Sequence, residues 1–266
     1  MHPAAAALAT FIDLEATDVT CHVGAWPFRL GAAADIDDLR AYAARAGLRR
    51  LWVSHLASLF GFDTRAGNAA VLDACAGDRL FAVFAVLDPS ESTWREELDW
   101  ALDRGAAGIR IAPSLRRHPL ADAVALARAC GERGVPVQLL VRLDDERVRH
   151  RMLAGDDPTP EEIAEFVRHT AGTDIVVSGL RWEGWSEVRA RLSGDELDRV
   201  VLDLWHVNGP FRVFDALAAE PDRWVFGSGF PVQTPEATML QLAASDLPAE
   251  IRRRIARTTA ATLLRR

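Results

Sequence analysis

Eight short apolar runs alternate with amphipathic segments along almost the whole sequence. The runs are rich in β-branched and aromatic residues and predict strands at residues 18–23, 50–55, 80–87, 107–112, 136–143, 174–180, 200–206 and 223–228. Helical periodicity lies near residues 36–46, 67–76, 91–104, 120–133, 159–170, 185–192, 211–218 and 235–244, with a last helix over about 248–264. Eight such units predict an α/β fold, a (β/α)8 TIM barrel with an extra C-terminal helix, as one domain over residues 1–266.

The composition favours a folded chain that binds neither nucleic acid nor a membrane. Of the 266 residues, 49% are hydrophobic, which suffices for one large core. The formal net charge is −7, whereas nucleic acids and anionic membranes require a concentrated basic face. The alanine-rich stretch at residues 4–9 is too short to span a bilayer and lacks the basic start of a signal peptide, so we predict a cytoplasmic protein.

The basic and sulfur-containing residues exclude several kinds of chemistry. All 31 basic residues are arginine. Because lysine is absent from the sequence, Schiff bases, pyridoxal phosphate attachment and a carbamylated lysine bridging two metals are excluded. Cys21, Cys75 and Cys130 stand far apart and form no CxxC pair, so the sequence indicates neither a disulfide framework nor a thiolate zinc site.

Polar residues at the carboxyl ends of the strands are the candidates for a site, because barrels carry their reactive groups there. The candidate catalytic residues are His22, Arg142, Asp203 and His206. The candidate substrate-binding residues are Trp26, His55, Arg110 and Glu146. A single histidine at a strand end is more often a hydrogen-bonded structural residue, so only the convergence of several would favour chemistry.

The loop after the fifth predicted strand, residues 142–150, holds the densest group of charges. One interpretation is a solvated turn held by salt bridges. Strand alternation offers another, because it places Arg142 on the same face as Gln138 and Leu140 and predicts that it points into the barrel. A buried guanidinium needs an acid or an anionic ligand, so Arg142 is the first candidate for binding a carboxylate.

Several motifs, taken in order, resemble those of a known family. They are DVTCHVGAWPF at residues 18–28, GN at 67–68, AVLDP at 85–89, GIRIAP at 108–113, GVPVQLL at 134–140, WVFGSGFP at 224–231 and a closing helix of pattern IxxxTAATLL at 255–264. Together they resemble the amidohydrolase-related branch of the amidohydrolase superfamily, which includes metal-dependent hydrolases and decarboxylases. GAWPFR, VQLLVRLDDERVRH and FGSGFP further resemble a divergent subgroup with degenerate metal-ligand positions.

The resemblance implies a metal site formed by an HxH pair on the first strand, one histidine on each of the fifth and sixth strands, and an aspartate on the eighth. His22 alone remains, because the other positions carry Thr20, Leu140, Gly179 or its neighbour, and Gly229. A catalytic zinc needs about three protein ligands, so the usual hydrolytic mechanism is not expected. A zinc, iron or manganese ion is expected only if a new site includes His22.

One functional hypothesis is a noncatalytic or partner-dependent family member. It would act as a pseudoenzyme subunit, either as a homo-oligomer or in a hetero-oligomer with a metal-bearing paralogue. Trp182 and Trp185, expected to be exposed after the sixth strand, are candidate anchors for such an interface.

Two further hypotheses keep a ligand in the barrel. The first is a hydrolase or lyase that acts on a small carboxylated substrate through His22, His55 or His206, together with the other catalytic candidates. It predicts that at least two of these histidines lie close together. The second is a small-molecule anion-binding protein in which Arg110 and Arg142 clamp the ligand.

Overall fold

One nine-stranded sheet forms the centre of the molecule in the computed structural model, which describes residues 3–61, 63–145, 149–150, 155–207 and 212–264. Its strands are β1 (Thr17–Ala25), β2 (Ala33–Ala34), β3 (Arg50–His55), β4 (Phe81–Val86), β5 (Gly108–Ile111), β6 (Val137–Leu140), β7 (Ile175–Ser178), β8 (Val200–Asp203) and β9 (Trp224–Val225). They are hydrogen-bonded in the order β2-β1-β3-β4-β5-β6-β7-β8-β9. Only β2 pairs antiparallel, with β1, and every other neighbouring pair is parallel.

Hydrogen bonds between the two ends of the parallel sheet close it into a barrel. The Val19 amide donates to the Phe226 carbonyl at 3.0 Å, and the His22 amide donates to the Phe230 carbonyl at 2.9 Å. These bonds join β1 to the segment that follows β9. The predicted TIM barrel is therefore confirmed, and each of the eight predicted strands overlaps one of its parallel strands.

Helices surround the barrel and follow the strands. They are α1 (Pro3–Ile12), α2 (Ile36–Ala46), α3 (Leu56–Phe60), α4 (Thr64–Cys75), α5 (Trp94–Asp103), α6 (Pro113–Arg116), α7 (Val124–Glu132), α8 (Pro160–His169), α9 (Trp182–Arg189), α10 (Gly194–Leu197), α11 (Arg212–Ala219), α12 (Pro235–Ala243), α13 (Ala249–Arg253) and α14 (Thr259–Leu263). Within the described ranges, none is both long and apolar enough to cross a membrane. The predicted last helix is interrupted, because a π-helical turn at Arg254–Thr258 separates α13 from α14.

Local sequence signals explain where several helices begin and end. At the start of α2, the Asp35 side chain accepts from the Asp38 amide at 2.9 Å, and the Asp38 side chain accepts from the Asp35 amide at 3.0 Å. The same reciprocal capping joins Thr159 and Glu162 at the start of α8. Helix α2 ends at Ala46 and is capped by Gly47, whose left-handed φ of 65° suits glycine. These caps fix the connections between successive strands.

The barrel interior consists of three layers. Near the amino ends of the strands, an apolar layer packs against α14; it contains Val19, Trp52, Phe84, Val176, Val201 and Val225. Near the carboxyl ends lies a second apolar layer, called here the apolar cap; its buried members include Trp26, Leu56, Leu59, Val86, Ala112, Leu140, Leu143 and Val232. Between them lies the polar layer: Thr20, His22, Ser54, Arg110, Gln138, Ser178 and Asp203. The polar layer is thus covered at both ends by hydrophobic side chains.

Candidate functional site

The strands themselves build the polar layer. Five inward-facing side chains come from five different strands, because strand residues alternate between the two faces of the sheet: Ser54, Arg110, Gln138, Ser178 and Asp203. On β1 the register against β3 shifts between Asp18 and Cys21, and this irregularity brings both Val19 and Thr20 to the interior. Every member of the layer is at most 1% exposed.

Arg110 holds the fixed positive charge of the polar layer. Its Nε and Nη2 donate to Gln138 Oε1 at 3.0 and 2.7 Å, and Nη2 also donates to the Val19 carbonyl at 3.2 Å. Nη1 donates to Ser54 Oγ and, at 3.3 Å, to the Cys21 carbonyl. Burial lowers the pKa of Arg110 to about 10, so its guanidinium remains charged at neutral pH.

A chain of hydrogen bonds, called here the relay, runs from Arg110 to Asp203. Gln138 accepts from the guanidinium, and its Nε2 donates to Ser178 Oγ at 2.5 Å and to Thr20 Oγ1 at 3.0 Å. Both hydroxyls donate to Asp203 Oδ2, at 2.6 and 2.5 Å respectively. Burial raises the pKa of Asp203 to about 7, and the hydrogen bonds that it accepts oppose this shift. The Ser178 and Thr20 hydroxyls therefore direct their donors at the carboxylate, while Gln138 Nε2 also donates to the Val19 carbonyl at 3.0 Å.

His22 lies beside the guanidinium in a defined protonation state. Its Nδ1 is 3.2 Å from Arg110 Nη1 and 3.3 Å from Ser54 Oγ. A guanidinium only donates hydrogen bonds, so Nδ1 accepts and the proton of the neutral ring is on Nε2. Burial, reinforced by the charge of Arg110, lowers the pKa of His22 well below its usual value. Nε2 is buried and has no hydrogen-bond partner among the described residues.

These residues do not fit the metal that the amidohydrolase resemblance implies. A metal-ligating histidine offers a ring nitrogen lone pair, whereas Nδ1 of His22 already accepts hydrogen bonds and Nε2 carries the proton. The Arg110 charge beside the ring also repels a cation. Within the ranges that the structure describes, no group of three or more histidine, cysteine, aspartate or glutamate residues could hold a metal.

The other positions implied as ligands are occupied by residues with structural contacts. Thr20 donates to Asp203, and Leu140 belongs to the apolar cap. Gly179 has φ of 80°, and a Cβ built on it would collide with the Arg142 carbonyl oxygen, so no ligating side chain fits there without a shift of the backbone. Gly229 likewise has a left-handed φ of 71°.

The apolar cap separates the polar layer from the barrel mouth. Trp26, Leu140 and Leu143 are buried in it, and Val232 is 1% exposed. Phe60 packs against the Trp26 ring with 5.7 Å between centroids. Trp26, predicted to bind substrate, is therefore part of the layer that closes the interior.

Arg142 lies beyond the end of its strand. Strand β6 ends at Leu140, so the alternation that predicted an inward direction stops two residues before Arg142. Its Nη2 pairs with Asp157 Oδ2 at 2.9 Å, and Arg149 Nη1 pairs with Asp157 Oδ1 at 2.8 Å. Arg149 Nε also donates to Asp144 Oδ1 at 2.9 Å. Ion pairs thus join the described part of the charged loop to itself and to Asp157.

The remaining candidate residues have further contacts of their own. His55 Nδ1 accepts from the Ala57 amide at 3.1 Å and caps α3, and His55 also lies near enough to His22 for its charge to contribute to the lowered pKa of His22. His206 is buried and packs against the Trp205 ring, with 4.8 Å between ring centroids. Glu146 lies outside the described residues. The structure therefore brings together His22, Arg110 and, through the relay, Asp203.

The sequence interpretation missed the small polar residues of the layer. Ser54 and Ser178 were not selected, and Gln138 was not assigned a role in a site. Their signal is a single polar residue at an inward position of an otherwise apolar strand, as in VQLL and IVVS. Such a residue is buried with a partner elsewhere in the barrel, and the sequence does not say which.

A closed (β/α)8 barrel with a polar interior layer defines this protein as a TIM-barrel protein of the type that carries active sites at the carboxyl ends of its strands. The amidohydrolase family model matches residues 17–266, and the chain belongs to this family. It has no match among curated proteins.

Solved structures of the same fold cover nearly the whole chain. An uncharacterized TIM-barrel protein from Bordetella bronchiseptica is 15% identical with a TM-score of 0.70, covering 94% of this chain and 98% of its own. The 5-carboxyvanillate decarboxylase from Sphingomonas paucimobilis is 13% identical with a TM-score of 0.69; the match covers 95% of this chain and 99% of the decarboxylase chain. A dihydroxybenzoic acid decarboxylase from Polaromonas sp. JS666, with bound manganese, is 17% identical with a TM-score of 0.66; the match covers 94% of this chain and 96% of the decarboxylase chain. At these identities the likeness extends to the fold.

Proposed function

We propose that this chain is a noncatalytic member of the amidohydrolase family, in which the barrel interior is a structural core and not a reaction chamber. The observation that carries the proposal is the relay, which joins Arg110 to Asp203 through Gln138 in a fully buried layer. The polar groups of the relay itself, from Arg110 to Asp203, bond to one another without a substrate or a metal, although Nε2 of the neighbouring His22 has no partner among the described residues.

Access to the interior supports the same conclusion. A reacting group must touch its substrate, and the apolar cap lies between the relay and the barrel mouth. Leu140, at a position where the family resemblance implies a metal ligand, is itself a buried member of the cap. The residue change that removes a ligand thus also adds to the hydrophobic closure.

The two alternative functions are less well supported by these contacts. A relocated hydrolase or lyase needs histidines that converge on a substrate; His55 lies near His22, but Nδ1 of His22 accepts from Arg110 and Nδ1 of His55 caps a helix. An anion clamp needs guanidinium groups directed at a ligand, whereas Arg110 donates to Gln138 and Arg142 pairs with Asp157.

The metal content of the purified protein, together with turnover, tests the proposal. Protein purified without chelators is analysed by inductively coupled plasma mass spectrometry beside the His22→Ala variant, and decarboxylation of 2,6-dihydroxybenzoate is assayed with added Mn²⁺ or Zn²⁺. We expect far less than one metal ion per chain in both proteins and no product. One equivalent of metal that is lost in the variant, accompanied by turnover in the parent, would overturn the proposal.

Assembly with a second chain, either a copy or a metal-bearing paralogue, is a further part of the proposal. Trp182 and Trp185, predicted as exposed anchors, supply little surface for such an interface. Trp185 is buried, with 1% of its surface exposed, and Trp182 stacks on Trp224 with 6.1 Å between ring centroids. Light scattering and affinity purification from the native cell test this part. A monomer that captures no related barrel would contradict it and leave the noncatalytic role standing.

A further inference from the structure

The amino-terminal end of the barrel, opposite to the candidate site, carries a half-buried arginine. Arg50 is the first residue of β3 and lies two residues before Trp52, a member of the apolar layer that packs against α14. Strand alternation places Arg50 on the same inward face as Trp52. Its Nε is buried and has no hydrogen-bond partner among the described residues. The side chain is therefore held by packing while its charge is partly withdrawn from water.

Arg50 differs from the other arginines whose Nε is buried without a partner, which are Arg142, Arg223 and Arg252. Arg142 Nη2 pairs with Asp157 at 2.9 Å. Arg223 and Arg252 each donate from Nη1 to a backbone carbonyl, at 3.2 and 2.9 Å respectively. The terminal nitrogens of Arg50 bond to no residue that the structure describes, and unlike Nε they are open to solvent. A ligand can therefore reach them.

A second arginine adds to the positive charge at this end. Arg49 precedes Arg50 and is exposed, and its amide donates to the Ala16 carbonyl at 2.8 Å. Within the described ranges, its side chain also has no acidic partner. Burial, followed by the charge of Arg49, lowers the pKa of Arg50, and no described carboxylate opposes this shift. Arg49 and Arg50, called here the arginine pair, thus lack a counter-charge.

The carboxylates that lie close to the arginine pair along the backbone are paired with other arginines. Glu15, next to Ala16, pairs with Arg257. Asp78, just before β4, pairs with Arg40 at 3.2 Å. The formal net charge of the chain is −7, so the molecule as a whole repels anions and holds one only where the local charge is positive. The arginine pair provides such a place.

We propose that the arginine pair binds a small dianionic oxyanion, with a phosphate group as its match. Two guanidinium charges balance a dianion, and the planar guanidinium donates parallel hydrogen bonds to two phosphate oxygens. Packing around Nε holds the Arg50 side chain before the ligand arrives, so binding costs little conformational entropy. The site lies at the opposite end of the barrel from the apolar cap, so the inference does not depend on the noncatalytic assignment. It also differs from an anion clamp at Arg110 and Arg142.

Isothermal titration calorimetry on the full chain tests the site at about pH 8, where phosphate groups are dianions, with the ionic strength held constant by sodium chloride. The probes are inorganic phosphate and glycerol 3-phosphate, with acetate as the monoanionic comparison. The variants are Arg50→Gln and Arg49→Gln. Arg95→Gln is the matched control, because Arg95 is exposed in the first turn of α5, which begins beyond the carboxyl end of β4. Circular dichroism establishes that each variant is folded.

We expect Arg50→Gln to weaken phosphate binding about tenfold or more, Arg49→Gln to weaken it by a smaller factor, and Arg95→Gln to bind as the parent does. Acetate should bind more weakly than either phosphate compound. Tighter binding of glycerol 3-phosphate would assign a phosphomonoester as the ligand, and equal or weaker binding would assign the free ion. If Arg50→Gln does not fold, the loss in Arg49→Gln and the preference over acetate decide the question. Absence of saturable phosphate binding, equal affinities for phosphate and acetate, or binding that neither variant weakens would overturn the proposal.

Discussion

Arg110 and Asp203 lie on separate strands of the barrel, and the side chain of Gln138 connects them. The Gln138 amide accepts from the guanidinium at 2.7 Å and donates to Ser178 Oγ at 2.5 Å, and this hydroxyl donates to Asp203 at 2.6 Å. Two charges buried in a barrel are thereby compensated without direct contact. The relay satisfies the buried side chains from Arg110 to Asp203, and Nε2 of His22 is the atom of the polar layer that it leaves without a described partner.

Replacing Gln138 by leucine should destabilise the protein strongly. Leucine has a similar size but cannot accept from Arg110 or donate to Ser178, which leaves a buried guanidinium with fewer acceptors. We expect a loss of about 3 kcal/mol in the free energy of unfolding. Urea denaturation measures it, with Gln241→Leu as control, because Gln241 is partly exposed and makes one described bond, to the Val207 carbonyl. A loss no larger than that of the control would contradict the role of the relay.

Asp203 should give the stability a specific dependence on pH. Burial raises its pKa from 3.8 to about 7, so between these values the folded protein binds the proton more tightly than the unfolded chain does. The contribution of Asp203 to stability is therefore greatest at low pH, declines between about pH 4 and about pH 7, and is level above that. The free energy of unfolding is measured across this range for the parent and for Asp203→Asn. We expect it to fall more steeply with rising pH in the parent than in the variant. Parallel curves would show that Asp203 does not titrate in this way.

The apolar cap should make a large contribution to stability. Leu143 is fully buried in it, and truncation to alanine removes methyl groups from a packed layer. We expect Leu143→Ala to lower the free energy of unfolding by about 2–5 kcal/mol. Leu30→Ala is the control, because Leu30 is fully exposed, and it should cost less than about 0.5 kcal/mol. Similar effects of the two changes on the urea midpoint would be inconsistent with a packed cap.

Gly179 should tolerate a side chain poorly. Gly179 and Gly77 both have a left-handed backbone, with φ of 80° and 74°, so alanine costs about 1–2 kcal/mol at either position. A Cβ on Gly179 would also collide with the Arg142 carbonyl, whereas nothing lies within 4 Å of one on Gly77. We therefore expect Gly179→Ala to lower the thermal midpoint substantially more than Gly77→Ala. Equal shifts would mean that the chain adjusts around position 179 at no cost.

The sequence predicted the barrel because its evidence is repeated along the chain. Eight apolar strands each carry the same signal, and an error in one boundary does not change the topology. Alternation also placed Gln138 on the interior face, where its side chain bonds to Arg110. Alternation gives no basis for the direction of Arg142, because it ends with the strand and β6 ends at Leu140.

The state of the candidate site depends on contacts between distant residues. His22 and Arg110 are 88 positions apart, and their hydrogen bond fixes the ring proton that bears on metal binding. Trp26 and Leu143 are far apart in the sequence and come together in the apolar cap of the folded barrel. No local pattern encodes such pairs, so the sequence identified interior residues without showing that they satisfy one another.

The protonation state of the His22 imidazole tests most directly whether the barrel interior is a structural core. Two-dimensional ¹H–¹⁵N spectra of ¹⁵N-labelled protein, with the His22 signals assigned by comparison with His22→Asn, report which ring nitrogen carries the proton. Near neutral pH we predict a neutral ring protonated on Nε2, with shifts that do not change when Zn²⁺ is added. A proton on Nδ1, together with a zinc-dependent shift of Nε2, would show that the interior still binds metal and would contradict the proposed structural core.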